Sequence, residues 1–255
     1  MSFIVNIDQL GRSVTIKSPV TRIICLVPSI TELLVVLGLG DLLVGITKYC
    51  VRPLDVKHGR TLIGGTKDID LNIIGSLDPD LVIASKEENV REQIDALSAP
   101  VWVSDVSTLQ DALDMILSIG IITGREVKTE KIIKKIGFPE FLGNTRKSVA
   151  YLIWRKPYMT IGGDTFINEM LSIAGFDNVF ENEIRYPIVT LDDIERMEPD
   201  YIFLSSEPFP FTEKFVKEFE HIAKPILVDG EMFSWFGSRM IYAIDYFKKI
   251  NTECN

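Results

Sequence analysis

The sequence predicts an α/β protein of two lobes with mostly parallel sheets, and three observations carry that prediction. Residues 78–85 read DPDLVIAS and residues 198–205 read EPDYIFLS, a near-copy. The match extends upstream, where Leu71, Ile74 and Leu77 coincide with Leu191, Ile194 and Met197. Each copy reads as a short helix, an acidic-Pro-Asp turn and an apolar strand. The two lie farther apart than the roughly 20–50 residues of a solenoid repeat, so they read as duplicated lobes. Second, apolar strands alternate with helical segments along the chain, the pattern of parallel sheets with helical crossovers. Third, Leu109, Leu113, Ile116, Leu117 and Ile121 follow helical spacing between the two halves.

The elements follow in order. Residues 3–7 and 13–17 alternate around DQLGR, a hairpin with Gly11 at the turn. RIICLV is a continuous apolar strand of the buried parallel kind. Ser29 with Glu32 three residues on reads as a capping box for a helix ending at Gly38. LLVGIT, DLVIAS and PVWVSD are strands of the first half; SVAYLIW, DYIFLSS and PILVDG belong to the second. Helices are expected near 87–97, 165–174, 191–197, 212–221 and 237–250, with Asp164 capping the second and Gly175 ending it. If residues 108–136 form one helix, it is about 40 Å long at 1.5 Å per residue. Gly120 and Gly124 each cost about 1 kcal/mol in a helix and mark where it would break. The expected domains are 1–106, a linking backbone helix over 107–140, and 141–255.

Composition narrows the function. A length of 255 residues allows two lobes, each with its own core. The net charge of -9 opposes binding to nucleic acid or an anionic membrane surface. Three cysteines without a C-x-x-C pair exclude a zinc knuckle and argue against a disulfide framework. His58 and His221 read as a solvated turn histidine and a helix-end histidine, not as ligands. The N-terminal residues lack the features of a signal peptide, so the chain as given reads as cytoplasmic, or as extracytoplasmic if a leader has been removed.

These segments together resemble a family. The stretch DQLGRSVTIKSPVTRIICLVPSITELLVVLGLGDLLVGIT is similar to the opening of ABC-importer substrate-binding proteins for metal chelates: cobalamin, haem and ferric siderophores. IGGTKDIDLNIIGSLDPDLVIAS, TLDDIERMEPDYIFLSS and LVDGEMFSWFGSR fit the rest of its two lobes. The resemblance implies Rossmann-like lobes joined by a single long α-helix, a chelate held in the cleft between them, no catalysis and no intrinsic cofactor. It also implies a permease partner. Importer-docking glutamates of the family fall here at Asn72 and Ser234, neither acidic, with Asp70 and Glu231 nearby.

Ligands of parallel sheets sit outside the strand carboxyl ends, so the loops there hold the candidates. Tyr49 is placed to stack on a macrocycle, Arg52 to pair with a ligand oxygen, and Cys50 to ligate a soft metal. The alternative for Cys50 is a small apolar residue. Thr66 and Lys67 follow Gly64 and Gly65, where the backbone can approach a ligand. In the second lobe, Trp154, Arg155 and Tyr158 suit a flat ligand carrying negative groups. Glu231, Phe233, Trp235 and Arg239 lie in the loop that the family uses as an aromatic wall. Ser206–Phe211 is a further aromatic loop at a strand end. Two other readings stay open: a chelate-processing enzyme, although no G-x-S-x-G or H-E-x-x-H occurs, and an interaction module using the aromatic loops.

Overall fold

The computed structural model describes residues 2–137 and 146–254. The chain divides into two compact units. The first takes the residues up to Val106 together with Gln110–Gly137 and Phe236–Arg239, and the second takes the remainder.

In the first unit, β1 (Ser2–Ile7) and β2 (Ser13–Ser18) form an antiparallel hairpin, turned through Gly11 at φ 76°. The main sheet holds β3 (Ile23–Cys25), β4 (Leu43–Ile46), β5 (Thr61–Leu62), β6 (Leu81–Ser85) and β7 (Val101–Ser104). Their spatial order is β5-β4-β3-β6-β7 and every pairing is parallel. Helices α1 (Pro28–Val36), α2 (Leu71–Ser76) and α3 (Arg91–Asp95) lie among the strands in sequence. Ile24, Leu26, Ile74, Val82 and Ala84 form part of the core, so the uninterrupted apolar runs are strands buried on both faces.

Two helices, α4 (Leu109–Thr123) and α5 (Glu126–Ile136), occupy the segment expected to be one. The break falls at Gly124, whose φ of 64° no continuing helix residue adopts. The Arg125 N–H donates to the Gly120 carbonyl and closes the turn. Gly120 has a second role: a Cβ there would lie 2.4 Å from Thr129 Oγ1, so its bareness lets α5 pack on α4. Residues 138–140 of the expected helix lie outside the described residues.

The second unit has a four-stranded parallel sheet of order β10-β8-β12-β13. Its strands are β8 (Lys147–Leu152), β10 (Phe176–Asn178), β12 (Tyr201–Ser205) and β13 (Lys224–Val228). A small antiparallel pair, β9 (Tyr158–Met159) with β11 (Ile188–Val189), accompanies it. The helices are α6 (Phe166–Ile173), α7 (Leu191–Arg196), α8 (Glu213–Val216), α9 (Gly230–Ser234) and α10 (Met240–Cys254).

Two expected caps are corrected. α1 begins at Pro28, which suits the first helical position, so its N-cap is Val27 and Ser29 lies inside the first turn. Ser29 makes no cap, and the Glu32 carboxylate pairs with Arg239. For α6 the cap is Thr165, whose hydroxyl accepts from the Asn168 N–H. Asp164 instead accepts from the Arg185 N–H.

The near-copies do the same work in each unit. α2 and α7 lead through Asp78 and Glu198, both at positive φ, into β6 and β12. The aspartate that follows each proline reaches the neighbouring strand. Asp80 Oδ2 accepts from the Thr21 N–H, the Thr21 hydroxyl and the Arg22 N–H just before β3. Asp200 Oδ2 accepts from the Ser148 N–H and hydroxyl in β8. Partial burial works against the charged Asp80, but hydrogen bonds from Thr21 and Lys17 outweigh it and hold the carboxyl down at about 2. The Ser148 amide likewise holds Asp200 below its ordinary value. Asp80 therefore stabilises the fold above its unfolded value near 4, and that contribution is lost as pH falls toward 2. Replacing Asp80 by Asn should cost about 1–3 kcal/mol at pH 7 and clearly less at pH 2.5, where part of the advantage is already lost, measured by urea denaturation across pH. An equal loss at both pH values would contradict this anchor.

Candidate functional site

In the first unit, the carboxyl-end loops after β4, β5 and β6 brace one another. The Lys48 N–H donates to the Gly64 carbonyl at 2.8 Å. Gly64 has φ 103°, and a Cβ there would meet the Asp68 carbonyl at 2.2 Å, so only glycine fits this turn. Gly65 lies against the Tyr49 ring, with a Cβ position 3.3 Å from Tyr49 Cε2. Asn89 donates to the Thr66 carbonyl and accepts from the Ser85 N–H, joining the loops after β5 and β6. On this braced base Tyr49 stays 53% exposed, with the Lys48 ammonium 5.2 Å from its ring centre. Arg52 and Thr66 are half-buried. The Lys67 ammonium donates to the Glu87 carbonyl at 2.7 Å, which turns it onto the protein.

Cys50 is a correction. It is fully buried, and its sulfur lies 3.2 Å from Thr31 Oγ1 and 3.3 Å from Thr47 Oγ1. Burial pushes its thiol up, against the opposing hydrogen bonds of Thr31 and Thr47. With no exposed surface, the Cys50 side chain is out of reach of a metal carried by a ligand at the loop surface. Among the described residues no group of three or more His, Cys, Asp or Glu is placed to hold a metal ion.

In the second unit, the loop after β8 carries Trp154, 39% exposed, edge-on to Phe209 at 5.8 Å. The Phe209 N–H donates to the Ile153 carbonyl, so the loop after β12 supports the Trp154 loop. Arg155 is no free clamp: it makes a two-pronged pair with Glu218 at 3.0 and 2.7 Å. The Tyr158 hydroxyl donates to the same carboxylate at 2.9 Å. Arg155 accordingly holds Glu218 below the usual carboxylate range. The three side chains form a closed polar cluster whose charges cancel.

The loop after β13 is more internal than its sequence suggests. Phe233 is a second correction, with no exposed surface. Its ring packs on Tyr151 at 5.3 Å and Phe247 at 4.8 Å. In the short helix α9 it takes the face turned to the sheet. Trp235 is also buried, at 7% exposure, and it hydrogen bonds Glu207. Glu231 is half-buried and its N–H is capped by Asp229 Oδ1. Arg239 forks onto Glu32 at 3.0 and 2.6 Å within the first unit. Asn72 is exposed on α2, whereas the Ser234 hydroxyl is engaged with Glu207.

Glu207, just after β12, is the residue whose role the sequence left unassigned. Its carboxylate accepts from Ser234 of α9, and Gly230 packs so closely that a Cβ would lie 2.7 Å from Glu207 Cγ. Burial pushes this carboxyl up; the Ser234 hydrogen bond opposes it and the Glu231 charge adds to it. Glu207 thus fixes α9 to the sheet edge. Its proline-flanked aromatic surroundings were visible in the sequence; its partners were not.

Residues 23–137 match the model described as periplasmic binding protein. A Bacillus subtilis (strain 168) ABC transporter substrate-binding lipoprotein, YvrC, is 29% identical over 211 residues, covering 76% of this chain and 67% of the relative. A vitamin B12-binding protein of Vibrio parahaemolyticus is also 29% identical, over 74% of this chain and 72% of its own. Among solved structures, the periplasmic vitamin B12-binding protein BtuF of Vibrio cholerae superposes with a TM-score of 0.77. It is 20% identical, over 92% of this chain and 98% of the other. No described helix is long and apolar enough to cross a membrane.

Two outcomes follow from these placements. Thiol reagents should leave Cys25 and Cys50 unmodified in the native protein and label both after denaturation; rapid native labelling of Cys50 would overturn its placement. Glu207 has a folded value raised above its unfolded one, so its ionisation works against the fold as pH rises. Glu207→Gln keeps an acceptor for Ser234 and should therefore gain stability relative to the native chain between pH 4 and pH 8, by thermal melting. A growing loss over that range would contradict the assignment. Residues 23–137 are thus similar to the periplasmic binding protein family, and the chain shares the fold of the Vibrio cholerae vitamin B12-binding protein over 92% of its length.

Proposed function

We propose that the protein binds a metal chelate through the carboxyl-end loops of its parallel sheets and serves ABC-type uptake. The observation that carries this reading is the exposure of aromatic rings at those loops. Tyr49 in the first unit and Trp154, on Phe209, in the second are partly solvent-facing on loops braced from below. Rigid aromatic rings with one free face suit a flat, largely apolar ligand, because stacking buries area at small entropic cost. Arg155 and Arg239 are spent on carboxylates, and Glu207, Asp229 and Glu231 cluster at the second unit's sheet edge. Those pairings favour a chelate rich in hydrogen-bond donors, and the vitamin B12-binding relatives point the same way. Cobalamin is accordingly the first ligand proposed, ahead of haem and ferric siderophores. An importer partner is the setting carried by the Bacillus subtilis relative's description, and Asp70 and Glu231 are the acidic residues proposed to meet it.

Titration with cyanocobalamin, haemin and a ferric siderophore, followed by tryptophan fluorescence, tests the reading. Cobalamin should quench saturably at micromolar or tighter affinity. Trp154→Ala and Tyr49→Ala should each weaken binding about tenfold, the scale of one lost aromatic contact. Unchanged affinity in both variants would remove these loops from the site.

A further inference from the structure

The start of α1 carries donors that the fold leaves unused. This helix is nine residues long, its N-cap Val27 supplies no side-chain hydrogen bond, and its first turn has no acidic residue. The first-turn amides present the positive end of the helix dipole, and no acidic residue lies within that turn. Two hydroxyls add to them. Ser29 in that turn and Ser238 are each 4% exposed, and neither Oγ has a hydrogen-bond partner among the described residues. A buried unpartnered hydroxyl is costly, so two of them near one helix start call for a ligand.

The segment Phe236–Arg239 belongs to the same unit as α1 and is held on it by two contacts. The Arg239 guanidinium forks onto Glu32 at 3.0 and 2.6 Å. Gly237 sits where a Cβ would be 3.4 Å from the Ser29 carbonyl and 3.5 Å from Leu33 Cβ. Ser29 and Glu32 are three residues apart, on one face of the helix. The ion pair and the glycine contact therefore fix Ser238 beside the turn that bears Ser29. The side chains contribute hydroxyl donors, and the Arg239 charge is already met by Glu32.

We propose that the first turn of α1, with Ser29 and Ser238, is an oxyanion subsite that receives a carboxylate or phosphate oxygen carried by the ligand. The chelate form of this proposal rests on the function proposed above. A donor set without free cationic charge suits one acceptor oxygen on a larger molecule.

The test uses the full chain and the Ser29→Ala/Ser238→Ala double variant, with each single variant as control. The ligands are paired: haemin against its dimethyl ester, and cyanocobalamin against dicyanocobinamide, which lacks the phosphate. The double variant should bind the oxyanion-bearing parent about tenfold more weakly, the scale of one charge-assisted hydrogen bond, and bind the neutralised analogue as the native chain does. Loss with haemin identifies a carboxylate, and loss with cyanocobalamin a phosphate. Equal losses for parent and analogue, or no loss, would overturn the subsite. If the native chain binds no chelate, the proposed function fails by itself, and inorganic phosphate decides the subsite. Thermal stabilisation by phosphate that disappears in the double variant supports it, and no stabilisation of the native chain overturns it. Without ligand, the alanine variants should melt no lower than the native chain, because the hydroxyls hold nothing in the fold. A clear drop in melting temperature would assign them a structural bond and also overturn the proposal.

Discussion

A parallel sheet can be extended only if the chain returns across its face between strands, so all strand carboxyl ends emerge along one edge. That constraint organises each unit of this protein. Five strands in the first sheet and four in the second run in the same sense within their sheets. The loops after β3, β4, β5 and β6 leave the first sheet on a common edge, and those after β8, β12 and β13 do so in the second. Side chains far apart in sequence, such as Arg155 and Glu218, meet because the topology returns them to one place.

The edges hold their shape through small residues and buried polar anchors. Gly64 and Gly230 sit where any side chain would strike backbone or a neighbouring side chain. Asn89 ties two loops of the first unit, and Glu207 ties α9 to the second sheet. Asp80 and Asp200, at the opposite strand ends, fix the register between the paired strands. The duplicated octapeptide is thus a structural device, a turn plus a carboxylate that locks the next strand. The partly exposed rings Tyr49 and Trp154 are carried on this scaffold, and preorganisation of that kind lowers the entropic cost of binding.

Much of the architecture was legible because it depends on local pattern. Apolar runs bounded by turn residues predicted the strands; the helix cost of Gly120 and Gly124 allowed a break in the expected single helix without fixing it, and the positive φ of Gly124 is where it falls. The start of α1 was misread because Ser29 and Glu32 have capping-box spacing, while Pro28 already supplies the first helical residue. The site was less legible because its character is set by partners. Arg155 reads as a free cation until Glu218 is placed beside it. Phe233 and Trp235 read as an aromatic wall, but only the helical turn of α9 and the rings of Tyr151 and Phe247 show that Phe233 faces inward. Cys50 needed Thr31 and Thr47 around it to be recognised as an interior thiol.

The central claim is that ligand is bound at the carboxyl-end loops, and hydrogen–deuterium exchange with and without cyanocobalamin tests it most directly. Protection should concentrate in residues 47–52, 63–67, 153–158 and 206–211, with the β1–β2 hairpin and the Asp80 and Asp200 turns unchanged. Protection confined to the hairpin or to those turns, with the carboxyl-end loops exchanging as in the free protein, would contradict the account.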